Sequence, residues 1–366
     1  MRIVLVVIVL CTASAAVAFC GALGEFLALV PLYVEEPLIL FTDWSRIGSS
    51  LGLETLTSAS PLEQRLKLVL STTRQHAAAS AYALAHFAGH ADAWGWDTAD
   101  LDWEASIVSR ALPPIYVLKL HAGFDFAPVA ARFAERGFVQ TMSHGAVLFQ
   151  HRLELGADWT HKTELSILNT AYIEADDLLI LSSFPAGIEA ALDVHSGASP
   201  SLAEEPFVSD AVRHLGEAPL SATLLVGHGE CLRFTTNPLL EVLGTVPTEK
   251  DVDAMRTAVS SSELLVPYRV LAVGYTATDG HPTGSLVFEY DTPALAQLDL
   301  APRRVLAEEG TSRESEAPIS EVYFTVIDGR VEDSAIVLTV HPAENQPHRL
   351  FRMIFHRDAP FAGCST

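Results

Sequence analysis

Two histidines four residues apart, in His86-Phe87-Ala88-Gly89-His90, form the spacing in this chain best suited to holding a metal ion. On a helix, positions i and i+4 share one face, and two neutral imidazoles there can clamp a divalent cation. A zincin-type hydrolase also needs glutamate directly after the first histidine, and Phe87 stands there. A third ligand would have to come from far along the chain. The plainer reading is a pair of helix-end histidines beside Trp94 and Trp96.

Asp97, Asp100, Asp102 and Glu104 make an acidic cluster just beyond them. It lacks the glycine and the ligand spacing of a calcium loop. Carboxylates also gather at helix N-termini, where the dipole is positive, and that reading is the simpler one. Trp94, Trp96 and Trp103 could form an aromatic binding surface, but aromatic residues in such a run more often anchor a core. Gly227-His228-Gly229-Glu230-Cys231 places an imidazole, a carboxylate and a thiol on one loop. Neighbours in sequence rarely face one another, so nucleophilic chemistry is not expected there. Asp176 and Asp177 fall in an expected turn. The sequence contains no G-x-S-x-G elbow, P-loop or C-x-x-C, and its 14 histidines are scattered. The expectation is therefore no catalytic residue, no metal and no cofactor.

The N-terminus carries a clearer signal. Arg2 is followed by the apolar run Ile3 to Leu10 and by small residues through Ala18, with no charge before Glu25. That order describes a secretory signal, cleaved after Ala16-Val17-Ala18. Residues 3–24 are also about long enough for a membrane anchor, which needs roughly 20 residues. A third possibility is lipidation of Cys20, although Phe19 before it is a poor fit. Residues 1–24 are thus read as signal or anchor, and the mature protein as secreted or held on the outer face of the cytoplasmic membrane. Export bears on the four cysteines. Cys11 and Cys20 belong to the export segment, and Cys231 and Cys364 remain as a pair in a compartment that permits oxidation, so a disulfide between them is expected.

The rest of the chain must position these groups. Leu38 to Phe41 reads as a strand, and Ser60-Pro61-Leu62-Glu63 as a helix start with a capping box. Helical spacing then runs towards Ala91, and a further helix is expected over 100–111. From Pro113 the period changes to that of strands, with Ile115 to Leu120 the first. Strands are expected at 138–142, 146–151, 166–173 and 178–182, and helices at 126–136 and 185–194. Another strand is expected at 222–226, a helix at 248–259, and strands at 268–276 and 285–290 around Asp279-Gly280. A helical stretch broken near Pro302 comes next, then a hairpin around Asp328-Gly329 and a last helix at 347–357. The order predicts an α+β fold: two ferredoxin-like halves of mixed or antiparallel sheet, each with helices on one face, plus an N-terminal helical region. Segment boundaries are placed at 25–112, 113–246 and 247–366.

A formal charge of −22 argues against nucleic acid or an anionic membrane surface as partners, so membrane contact is expected only through residues 1–24. Trp94-Gly95-Trp96-Asp97, Pro113 to Leu120, Leu350 to Met353 and Phe361 to Cys364 are similar to stretches of uncharacterised exported bacterial envelope proteins. The resemblance implies a shared fold and an envelope location, and it brings no catalytic residues. The function expected is that of an extracytoplasmic envelope protein, a non-enzymatic binding or structural module for an unknown protein or small-molecule ligand. The alternatives are a metal-dependent hydrolase using His86 and His90, and the ectodomain of a membrane-anchored sensor or complex subunit.

Overall fold

The computed structural model describes residues 21–72, 87–110, 112–151, 167–216, 218–227, 231, 234, 265–278 and 281–364. Within them twelve strands form one sheet. They are β1 (Leu38–Asp43), β2 (Leu101–Val108), β3 (Ile115–Leu120), β4 (Val139–Ser143), β5 (Ala146–Gln150), β6 (Asn169–Ile173), β7 (Leu178–Ser182), β8 (Ser221–Val226), β9 (Val270–Thr278), β10 (His281–Glu289), β11 (Phe324–Glu332) and β12 (Ala335–Pro342). The spatial order is β11-β12-β10-β9-β8-β1-β2-β3-β7-β6-β5-β4. Every pairing is antiparallel. Most strands pair with a neighbour in sequence, because short turns favour hairpins. The interleaved order of a ferredoxin-like unit is not found. Only β1–β8 and β3–β7 join strands distant in the chain, and β1 and β2 sit near the middle of the sheet.

The helices are α1 (Ala22–Leu27), α2 (Trp44–Ser50), α3 (Leu62–Thr72), α4 (Phe87–Trp94), α5 (Ala127–Glu135), α6 (Pro185–His195), α7 (Pro206–Leu215), α8 (Pro293–Glu309), α9 (Ile319–Val322) and α10 (His348–Phe355). They cover both faces of the sheet, not one as expected. On one face α1, α6 and α7 pack on Phe41, Trp103, Val117, Ile180, Leu224 and Val337. On the other, Trp94 of α4 and Val129 and Phe133 of α5 meet Leu118 and Leu179. The second half of that face is filled by α8, α10 and the C-terminal tail over Val273, Phe288 and Leu338. The reason is visible in β7, where Leu178-Leu179-Ile180-Leu181 is apolar on both sides and fully buried. A strand of this kind needs cover on each face.

Three further expectations are corrected. Residues 101–108 form a central strand and not a helix. Trp103, Ala105 and Ile107 alternate with Glu104 and Ser106, a period of two that outweighs the helix-start signal of Asp97 and Asp100. The C-terminal hairpin turns at Asp333-Ser334, while Asp328 and Gly329 lie within β11 beside a bulge. Helix α8 continues through Pro302. The proline frees the carbonyl of Leu298, an exposed position that water can serve, and the next residue, Arg303, is buried and paired to Asp299 one turn back. The expected strand–turn residues Asp279-Gly280 and the helix at 248–259 lie outside the described residues.

Candidate functional site

The densest group of titratable side chains stands where β1, β2 and β3 meet the loops at one end of the sheet. Asp43 ends β1 and caps α2, accepting the Arg46 N–H at 2.8 Å. Asp97 and Asp100 bracket a 3-10 turn as a capping box: Asp97 accepts from the Ala99 N–H at 2.8 Å, and Asp100 accepts from the Asp97 N–H at 2.9 Å. The other Asp100 oxygen accepts the Ser58 N–H at 2.8 Å and its hydroxyl at 3.1 Å. Arg65 of α3 reaches inward to pair with Asp97, and both are buried.

His121, directly after β3, completes the group. Its Nδ1 lies 2.7 Å from Asp102 and its Nε2 lies 3.0 Å from the Ala99 carbonyl. A carbonyl only accepts, so Nε2 carries a proton; Nδ1 faces a carboxylate and carries one too. The geometry therefore selects the imidazolium, and the hydrogen bond to Asp102 holds the His121 pKa above its ordinary value despite partial burial. Burial pushes Asp97 up, with backbone and Arg65 donors pulling against it. Burial also pushes Asp43 up to about 6, against the pull of the Arg46 N–H and charge, with a smaller raising push from Asp102.

Two groups here, Asp43 and the Asp102–His121 pair, could exchange protons in mildly acidic solution. The remaining carboxylates are engaged by donors of their own chain, so the cluster serves to lock the 3-10 turn, α3 and the end of β3 together. Among the described residues no group of three His, Cys, Asp or Glu side chains is arranged to hold a metal ion.

The residues singled out in the sequence are dispersed by the fold. His86 lies outside the described residues. His90 is buried, its ring edge-on to Trp96 with centroids 4.5 Å apart. Trp94, Trp96 and Trp103 are all core residues, so the aromatic-surface reading is overturned. Glu104 is buried in β2. Asp176 receives His195 Nε2 at 2.7 Å beside the β6–β7 turn. His228 and Glu230 lie outside the described residues. Cys231 and Cys364 are joined in a disulfide with their Cα atoms 5.4 Å apart.

Two polar centres were not singled out. Arg303 is completely buried in a ring of Asp299, Tyr290 and three carbonyls. The i,i+4 spacing of Asp299 and Arg303 was its only trace, and Arg304 and Glu308 show the same spacing on the surface. Glu289, at the end of β10, is also completely buried. One oxygen accepts the Ser334 hydroxyl at 2.5 Å and the other has no hydrogen-bond donor. Burial pushes its pKa up to about 7, against the Ser334 hydrogen bond; Asp210 and Asp333 add to the rise and Arg213 opposes it.

Because the folded carboxyl holds its proton more tightly than the unfolded one, Glu289 stabilises the fold at low pH. That contribution falls as pH rises from about 4.5 to about 7. Glu289→Gln, which keeps a neutral side chain of the same shape, is expected to flatten this decline. Urea midpoints at pH 5 and pH 8 measure it; a variant whose midpoint falls between the two pH values as steeply as the parent's would refute the assignment.

No family model matches the chain, and no curated protein matches it. Among the described residues no helix is long and apolar enough to cross a membrane. Three solved structures, crystal forms I, III and IV of TP0453, are similar at TM-scores of 0.40, 0.41 and 0.40 and identities of 9%, 11% and 12%. They cover 91%, 90% and 90% of this chain and 97%, 96% and 95% of their own. A likeness this distant carries no argument about what the chain does.

Proposed function

We propose that this chain is an extracytoplasmic protein of the bacterial envelope that acts by binding and not by catalysis. The observation that carries the reading is the Cys231–Cys364 disulfide, which closes a separation of 133 residues and ties the C-terminal tail to the body. Stable disulfides belong to oxidising compartments, in keeping with the signal-like residues 1–24. The binding half of the reading is supported by the acidic cluster, whose carboxylates are engaged by their own chain, and by His90, which is packed into the core.

Fractionation of the producing cells, with protease added from outside, tests the export. The chain is expected outside the cytoplasm, with its mass rising by two hydrogens on reduction. A cytoplasmic chain with Cys231 and Cys364 both as free thiols in the native protein would sink the proposal.

A further inference from the structure

The two edges of the sheet are built differently. At one edge, β11 carries a bulge between Val326 and Asp328, and Asp328, Arg330 and Glu332 line it with ion pairs. Bulges and charges of this kind are what proteins place on an edge to prevent further strand pairing. At the other edge, β4 reads Val-Gln-Thr-Met-Ser, without charge, proline or bulge. Its first four side chains are exposed, Val139 at 63% and Met142 at 65%. No described strand pairs with its outer side.

The register shows which groups are on offer. His144 and Gly145 both have positive φ, 49° and 80°, and form the two-residue turn joining β4 to β5. In such a hairpin Ser143 and Ala146, which flank the turn, are the hydrogen-bonded pair. Alternation then points the N–H and C=O of Thr141 and Val139 towards β5. Those of Gln140 and Met142 point outward.

The surroundings choose the occupant. Asp193 lies 3.8 Å from His144, and Glu174 and Asp176 follow the end of neighbouring β6, on the rim where β4 ends. A strand added antiparallel to β4 would bring its N-terminal flank to this acidic rim. A second copy would bring another formal charge of −22, which like-charge repulsion opposes.

We infer that β4 is a docking edge for an extended segment of another protein, paired antiparallel through the backbone of Gln140 and Met142 and carrying basic residues at its N-terminal flank. This deepens the binding reading above and rests on it. It does not depend on export, so the test uses purified protein and its failure leaves the fractionation result standing.

The probe is a short synthetic peptide of alternating valine and threonine with two lysines at its N-terminus. In the free chain the amides of Gln140 and Met142 are expected to exchange rapidly with solvent. Saturating peptide is expected to slow them by about tenfold or more, the protection an added strand gives. The same peptide with two glutamates should bind about tenfold more weakly, and one with alternate amides N-methylated should not bind. Met142→Pro, which removes an outward donor and leaves the β5 pairing intact, should abolish binding with the thermal midpoint little changed. If that variant unfolds, Gln140→Pro and the N-methylated peptide carry the test. Outer amides already protected in the dilute free chain would overturn the inference. So would an absence of protection at millimolar peptide, or equal binding of the glutamate peptide. Protection that rises with protein concentration alone would assign the edge to a second copy and overturn it as well.

Discussion

Replacing Arg303 by methionine is expected to lower stability by about 3–5 kcal/mol, the cost of breaking a buried ion pair from one side. The guanidinium has no exposed surface and lies over the rings of Phe288 at 4.7 Å and Tyr268 at 5.1 Å. Its Nε donates to Asp299 and to the Tyr290 hydroxyl, both at 2.6 Å. Its other two nitrogens donate to the carbonyls of Phe361 at 2.5 Å, Gly363 at 3.1 Å and Val266 at 2.6 Å. One planar fork thus holds α8, the end of β10, the entry to β9 and the C-terminal tail. Methionine fills similar space but leaves Asp299 with only the Tyr290 hydroxyl and the Val266 N–H as donors, together with three unserved carbonyls. Lysine keeps the charge and loses the fork, so Arg303→Lys should recover only part of the loss. Removing both charges, Arg303→Met with Asp299→Leu, should recover more, because the uncompensated carboxylate goes too. Urea unfolding of the three variants tests the order. An Arg303→Met midpoint equal to the parent's would show that the hub is not needed to hold the tail.

How much of this was legible in the sequence depended on range. Alternation within a strand is local, so β3, β7, β8 and the C-terminal helix were readable from residues such as Ile115 to Leu120 and Leu350 to Ile354. The helix start at Ser60-Pro61-Leu62-Glu63 was readable for the same reason. Residues 101–108 failed because acidic residues that do form a cap, Asp97 and Asp100, serve a 3-10 turn of one step before a strand. The cap signal was real, and what followed it was set by pairing with β1 and β3, which no local pattern encodes. Helix α3 shows the limit for faces. Leu62, Leu66 and Leu70 gave the expected apolar stripe, yet Leu62 and Leu70 are exposed and Arg65 is turned inward to Asp97. The buried partner at position 97 decides the orientation, and it lies 32 residues away. The candidate cluster was half legible: the acidic residues stood out, whereas His121, which joins them from β3, carried no signal of its own. The cysteine pair could be proposed without any geometry, since export and an even count were sufficient.

Loss of that cysteine pair is the second large effect expected. Cys231→Ala with Cys364→Ala, or reduction of the parent protein, should cost about 2–5 kcal/mol, the usual range for a native disulfide. A closed loop of 133 residues places the entropic contribution near the top of that range. The tail it holds is not a loose end. Phe361, Ala362 and Cys364 are buried, and Phe361 packs edge-on to Phe288 and Phe324. The carbonyl of Ala362 accepts from the Tyr268 hydroxyl at 2.9 Å, and Arg303 holds the carbonyls on either side of it. The disulfide and the arginine therefore act on the same few residues, and their contributions should not add. If either loss alone releases the tail, the second finds less left to break. The triple variant should then lose less stability than the sum of the disulfide and Arg303→Met losses, by more than about 0.5 kcal/mol, the limit within which independent sites usually add. Urea unfolding with and without reductant, on the parent and on Arg303→Met, measures this coupling directly. Additive losses would mean that the two ties hold separate structures. A midpoint indifferent to reductant would mean that Arg303 and the aromatic packing hold the tail by themselves, leaving the disulfide no part in the stability of the exported chain.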